Sequence, residues 1–442
     1  MDNLVVVASM FPILFFLIFM GFPVSFCFIG LSLFYSLGFF GAATGMQLVG
    51  RVYDVATNYS YAAIPLFIFM GTLLEHSGIA ERLFEAINLW TGRIPGGLAV
   101  STIIMSAIIA AASGVIGAVE VLVGLLAIPI MLKYSYDKGL IAGTICSGGA
   151  LGTIIPPSIV AVVYAPIANV PMGALLIGII GPGLLLAFLY IIYILIRCTL
   201  RPTDGPRMSK EEMLKYSFKE KMRITLKSLI PPFILIFAVM GSIIMGLAPP
   251  TEAASLGAFG ALVLCICYGK FNLALLIKSV IYTMKLTSMI MFIIVGGLMF
   301  SGVFLVNGGQ TLIENLISSL KISPHLMIMI FIALAFLSGF ILDCYSMILV
   351  LVPIFSPLVA KAGFDTLWFA VLFMIVIQTS YLTPPMAPSI FYLKGIAPAS
   401  ITTRHMFRGI VPYIILQCVI IAVVWIFPSI ATWLPAQMLR FK

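Results

Sequence analysis

Apolar stretches of about twenty residues recur along this chain from end to end, each long enough to cross a hydrocarbon core of about 30 Å. Of 442 residues, 62% are hydrophobic and only 9% are charged. A water-soluble domain carries roughly one-quarter charged residues, so the bilayer is the solvent here. Backbone groups left unpaired in lipid cost several kcal/mol each, which forces every span to be helical. The fold class is an all-α polytopic membrane protein.

The net charge of +9 does not point to nucleic acid, because the bases lie between apolar segments rather than among aromatics. Seven cysteines show no metal-binding spacing and are expected as free thiols. His76, His325 and His405 are scattered, so no transition-metal site is expected. Asp2 is charged and the first basic residue is Arg51, so residues 4–20 are expected as a retained helix rather than a signal peptide.

Crossings are expected at 4–20, 24–40, 61–77, 138–168 and 172–197, and again at 228–246, 251–268, 285–305, 366–396 and 409–428. Two regions differ, 98–133 and 325–362, where paired apolar runs flank the tips Ser113-Gly114-Val115-Ile116-Gly117 and Ser338-Gly339-Phe340-Ile341-Leu342-Asp343. Each run is short for a full span, which predicts re-entrant hairpins; backbone bent at mid-membrane must be buried in protein or line a cavity.

The halves match landmark by landmark. Pro23 answers Pro250, Gly71 answers Gly302, Ser113 answers Ser338, and Asp137 answers Asp365, with offsets of 227, 231, 225 and 228 residues. This predicts a duplication: a first repeat over 1–197, a basic linker over 198–227 and a second repeat over 228–442. About five crossings per repeat is an odd number, so the copies are inverted. With the linker on the cytoplasmic side, that side receives nineteen Lys and Arg, against five (Arg51, Lys321, Lys361, Arg440, Lys442) on the other. The positive-inside effect favours that arrangement and places both termini in the periplasm of a bacterial inner membrane.

Two expected helices are broken by a double proline, in Gly152-Thr153-Ile154-Ile155-Pro156-Pro157-Ser158 and in Thr379-Ser380-Tyr381-Leu382-Thr383-Pro384-Pro385. Each pair removes two backbone donors and frees carbonyls one turn earlier. Freed carbonyls beside hydroxyls suit a hard cation such as Na⁺, whereas half-helix N-termini suit an anion. A single proline kink is a common structural device in membrane helices; two at matching positions, each paired with a hairpin, point to a site. The candidate cation ligands are Ser113, Gly114, Gly117, Gly152, Ile155 and Pro156 in the first repeat, and Ser338, Gly339, Asp343, Thr379, Leu382 and Thr383 in the second. Thr153, Ser158, Ser346 and Ser389 are candidate substrate contacts. Intramembrane carboxylates are functional candidates by default, so Asp343 is weighed as cation ligand or helix cap, and Glu120 as coupling carboxylate or helix-end partner. Thr251 and Glu252, at a helix start, are expected to serve capping and the helix dipole.

The chain has no phosphate loop, His-Glu-x-x-His or Gly-x-Ser-x-Gly motif, so it is not expected to be an enzyme, and no cofactor is expected beyond a coupling ion. A channel and a self-sufficient Na⁺/dicarboxylate symporter are the alternatives to a multi-component transporter. The ordered set Ile64-Pro65-Leu66-Phe67-Ile68, Tyr136-Asp137-Lys138, Gly152 through Ser158, Pro250-Thr251-Glu252-Ala253-Ala254, Leu342-Asp343 and Thr383-Pro384-Pro385 resembles the large membrane subunit of tripartite ATP-independent periplasmic (TRAP) transporters, the DctM-like family. That resemblance implies an elevator-type, Na⁺-coupled importer of small organic anions. It also implies a small four-helix membrane partner and a periplasmic substrate-binding protein. At the first tip Val115-Ile116-Gly117-Ala118-Val119-Glu120 replaces a stretch that is usually richer in Ser, Ala and Thr in the family.

Overall fold

The computed structural model describes residues 6–114, 116–208 and 216–438, and among them every regular element is helical. Val115 at the first tip, Lys210 and Lys215 of the linker, and Arg440 and Lys442 lie outside the described residues. The first half runs through α1 (Met10–Phe19), α2 (Val24–Phe40), α3 (Thr44–Thr57), α4 (Ala63–His76), α5 (Ile79–Thr91), α6 (Gly97–Ser113), α7 (Ile116–Lys133), α8 (Lys138–Ala150), α9 (Ile159–Ile167), α10 (Met172–Gly178) and α11 (Ile180–Leu200). The second runs through α12 (Phe218–Ile244), α13 (Pro250–Cys267), α14 (Leu273–Val306), α15 (Gly309–Ser319), α16 (Pro324–Ser338), α17 (Cys344–Lys361), α18 (Thr366–Leu382), α19 (Pro388–Ile396), α20 (Thr403–Ile426) and α21 (Ser429–Met438).

Six of the described helices are individually long and apolar enough to span a bilayer, or seven if α4 and α5, bent by 64° at their junction, form one broken span. Of the other expected crossings, 138–168 and 366–396 are each broken into two shorter helices, and 4–20 and 24–40 are single shorter apolar helices. The arm α17 has 18 residues and passes the same length and apolarity test, so shortness alone does not mark it as half of a hairpin. Large exposed apolar side chains such as Phe19, Phe34, Phe237 and Phe259 cover the outside, as lipid contact demands.

Three elements depart from the expected boundaries. Helix α14 runs for 34 residues rather than over 285–305 alone, about 50 Å at 1.5 Å per residue. Helix α3 was not anticipated: its apolar residues recur at helical spacing in a stretch too polar to span, and Arg51 pairs with Asp54 at 3.6 Å on its surface. The basic residues Lys219, Lys221, Arg223 and Lys227 lie in the first turns of α12, so the described linker backbone outside helices is the stretch 201–208, with Tyr216 and Ser217. That stretch is pinned to the first broken helix. Arg197 donates to Asp137 Oδ1 at 2.8 Å and to Asp204 Oδ2 at 2.9 Å, while Asp137 caps α8 by accepting from the Leu140 N–H. Asp365 caps α18 in the same way, accepting from Leu367 N–H at 2.7 Å. Pro249, rather than Thr251, stands at the N-cap of α13; Glu252 lies in its first turn, where the dipole favours it.

Packing pairs the two halves element against element. Helix α4 lies on α13 and α2 lies on α14; α9 packs on α17, and α19 packs on α7. Each half-helix after a break therefore rests on the returning hairpin arm of the other half. Helices α8 and α20 cross where both are glycine: a Cβ on Gly143 would fall 2.7 Å from the Gly409 carbonyl carbon, and one on Gly409 would fall 3.0 Å from Gly143 N. Nearby, Thr144 and Tyr413 share a hydroxyl hydrogen bond of 2.8 Å. Small residues are what allow membrane helices this approach. Gly409→Ala is accordingly expected to lower the melting temperature and folded yield of the detergent-purified chain, by about 1–3 kcal/mol of overpacking. Gly38→Ala, which meets nothing within 4 Å, serves as the neutral control. Equal melting of the two variants would refute this crossing.

Candidate functional site

The first break is closed by its own hydroxyls. Helix α8 ends in Gly148-Gly149-Ala150 and tightens into a 3₁₀ turn over Leu151–Thr153 before the cis Pro156–Pro157 bond. Thr153 donates to the Ala150 carbonyl at 2.9 Å, and Ser158, the N-cap of α9, donates to the Thr153 carbonyl at 2.7 Å. Both expected substrate contacts of this repeat thus give their protons to the break itself. The tip of the first hairpin seats on the same segment. Gly114 adopts φ +63°, and a Cβ there would stand 2.5 Å from the Pro157 carbonyl oxygen. Ser113 presses on Gly71 of α4, and its buried hydroxyl makes no hydrogen bond. Gly114 is therefore brought to the first break, and Ser113 beside it to α4. Gly117 is not: it lies within α7, with the Tyr392 ring of the other half against it.

The second break covers 383–387. Helix α18 ends at Leu382; Thr383 donates to the Thr379 carbonyl at 2.6 Å, the Pro384–Pro385 bond is cis, and Ala387 at φ 38° precedes α19. The second tip packs on this helix, for a Cβ at Gly339 would collide with the side chain of Ser380. Ser338 donates to Ala335 O at 2.9 Å. Asp343 is the N-cap of α17, accepting from the Tyr345 N–H at 3.2 Å and from the Ser346 hydroxyl. Ser346 is thereby a partner of the cap. Thr379 points away, toward an apolar cavity lined with Val376, Phe336 and Trp425.

Between the two tips lies a cavity of about 200 Å³. Its walls include Gly117 of the first hairpin, Gly339, Asp343, Cys344 and Tyr345 of the second, Ser380 and Tyr381 of α18, Pro388 and Tyr392 of α19, and Leu286 and Met289 of α14. Two half-helix N-termini, those of α17 and α19, open on it, and no Lys, Arg or His is among its lining residues. Thr153 and Ser158 are not among them either.

Behind this cavity Glu120 is wholly buried, and neither carboxyl oxygen makes a hydrogen bond. Its side chain occupies the space left by Gly149, where a Cβ would overlap it. The Ser389 hydroxyl faces it, itself without a completed hydrogen bond. The polar residues Gln378, Tyr381 and Tyr392 were not singled out from the sequence. Single polar side chains in apolar helices resemble packing residues; only the position of Gln378, one turn before Tyr381 and ahead of a double proline, offered a signal.

Comparison with known proteins agrees with this architecture. Residues 11–430 match the family model of the tripartite ATP-independent periplasmic transporter, DctM component. A C4-dicarboxylate TRAP transporter large permease protein DctM from Pseudomonas aeruginosa is 29% identical over 411 residues, covering 90% of this chain and 93% of the relative. A 2,3-diketo-L-gulonate TRAP transporter large permease protein from Escherichia coli K12 is 26% identical, covering 85% of this chain and 86% of the relative. In fold, the chain resembles the crystal structure of the Alcanivorax borkumensis YdaH transporter, with TM-score 0.60 and 14% identity over 88% of this chain and 87% of that one. With a family match over nearly its whole length, the chain belongs to the DctM family: it is the large permease component of a TRAP transporter, a secondary transporter and not an enzyme.

Proposed function

We propose that this permease is a Na⁺-coupled importer of small organic anions in a bacterial inner membrane, receiving its solute from a periplasmic binding protein and working with a small four-helix membrane subunit. The observation that carries the reading is the cavity between the two tips, which is open to two half-helix N-termini yet lined by no basic side chain. Helix N-termini attract an anion. With Asp343 on the same wall, however, an anion needs a compensating positive charge, and a bound cation supplies it. The relatives' names support a small organic acid as solute, since one transports C4-dicarboxylates and another 2,3-diketo-L-gulonate.

The cation sites are assigned to the two seats of tip on break: Ser113 and Gly114 with the carbonyls around Gly152, Ile155 and Pro156, and Ser338, Gly339 and Asp343 with the end of α18 around Leu382 and Thr383. Segments 1–197 and 228–442 are taken as inverted repeats joined by the cytoplasmic linker 198–227, with periplasmic termini. The equivalent pairings of α4 with α13 and of α2 with α14 support that symmetry. The hairpins and broken helices then move together as an elevator against the framework of α2, α4, α13 and α14.

Uptake of a C4-dicarboxylate panel into proteoliposomes holding this chain, its small partner and the binding protein is expected to require an inward Na⁺ gradient. Equal uptake with choline in place of Na⁺ would contradict the coupling, and equal uptake without the binding protein would favour a self-sufficient symporter. Asp343→Asn keeps the cap but removes the charge, so it should fold normally while the half-saturating Na⁺ concentration rises about tenfold to a hundredfold. That corresponds to losing ~1.5–3 kcal/mol of charge-assisted contact. Asp343→Ala loses the cap as well and should lower stability by about 1 kcal/mol. Unchanged Na⁺ dependence in Asp343→Asn would make Asp343 a cap and nothing more.

A further inference from the structure

Glu120 is the described carboxylate whose surroundings the cation sites above do not explain. It is fully buried, both of its oxygens lack a hydrogen-bond partner, and it sits where Gly149 makes room for it. Three titratable groups lie within electrostatic reach of it: Cys146 from α8 and Tyr392 from α19, both elements packed on α7, and Tyr381 near the end of α18. None is basic, and no Lys, Arg or His among the described residues faces it. An ionised carboxylate cannot rest unpaired in such a place; it needs a cation or a proton. The surrounding side chains offer few oxygens, chiefly the Ser389 hydroxyl, short of the set that hard cations gather. A proton satisfies the group with less. A carboxylic acid is one donor and an acceptor, and so is the facing hydroxyl, so the two complete each other.

We infer that Glu120 is a proton-binding site of this permease, holding its proton against Ser389 and exchanging it with water in the cavity between the tips. Binding forms one O–H bond on the Glu120 carboxyl from a solvent proton, and release returns that proton to water. The path is short. Tyr381 and Tyr392 both line the cavity and lie within electrostatic reach of Glu120, and the buried Tyr381 hydroxyl makes no hydrogen bond of its own. Tyr392 also covers Gly117, so one ring touches the cavity, the first hairpin and the surroundings of the carboxyl together. A change in how α19 rests on α7 alters access to Glu120, which links proton exchange to the packing between the two halves.

This site rests on the transport reading above, but its test needs neither solute nor gradient, so the two can fail separately. Infrared spectra of the purified full chain in lipid, in H₂O and D₂O, are recorded across a pH series. The carbonyl stretch of a protonated carboxylic acid is expected at neutral pH, fading as the pH rises and lost in Glu120→Gln. In Ser389→Ala the band should persist but shift, because its hydrogen-bond partner is gone; this variant carries the test if Glu120→Gln does not fold. The proposal is overturned if the wild-type chain lacks the band, if the band survives Glu120→Gln, if it is unmoved by Ser389→Ala, or if it does not change with pH.

Discussion

A backbone carbonyl or amide inside hydrocarbon has nowhere to turn for a partner, and the two double prolines free such groups within apolar helices. The rest of the architecture answers that problem. At the first break Thr153 and Ser158 turn their hydroxyls inward and Gly114 brings the hairpin tip onto the Pro157 carbonyl; at the second, Thr383 bonds back to Thr379 while Gly339 seats on Ser380. Glycine at each tip is a matter of contact distance, since a Cβ at either position would strike the facing segment. The half-helices beyond the breaks then rest on the opposite hairpins, so neither half can form its site without the other.

Asp343 and Glu120 illustrate how setting decides role. Asp343 accepts from the Tyr345 N–H and the Ser346 hydroxyl at the head of α17, and opens on the cavity. It can stay charged there, which makes it both a cap and a natural neighbour for a cation. Glu120 has no such donors and no contact with bulk water. One fold thus holds two acids that differ in their donors, Asp343 with two and Glu120 with none.

Much of this was legible in the sequence because the strongest signals are chemical punctuation. Double prolines, tip glycines and the aspartates nineteen residues ahead of each break mark positions where the backbone has few options, and Asp137 and Asp365 prove to be the caps of the two broken helices. What escaped is what depends on rotation about a helix axis. In a helix buried on all sides the apolar pattern carries no face, so nothing in the sequence told Thr379, which points to an apolar cavity, from Ser380 and Tyr381, which line the central one. The same holds for Gly117, whose neighbour Tyr392 lies in the other half of the chain. Helix α3 was missed for the opposite reason, being too polar to register as a span and too short to register as a domain.

If tip and break share a cation, that ion should steady the backbone on both sides of each contact at once. Hydrogen–deuterium exchange of the purified permease, compared in Na⁺ and in choline, reads this residue range by residue range. Slower exchange in Na⁺ is predicted for peptides spanning 113–117, 151–158, 338–345 and 383–388 together, with Pro250–Cys267 unchanged. Identical exchange in the two salts, or protection spread evenly over all helices, would contradict a cation held between the tips and the breaks.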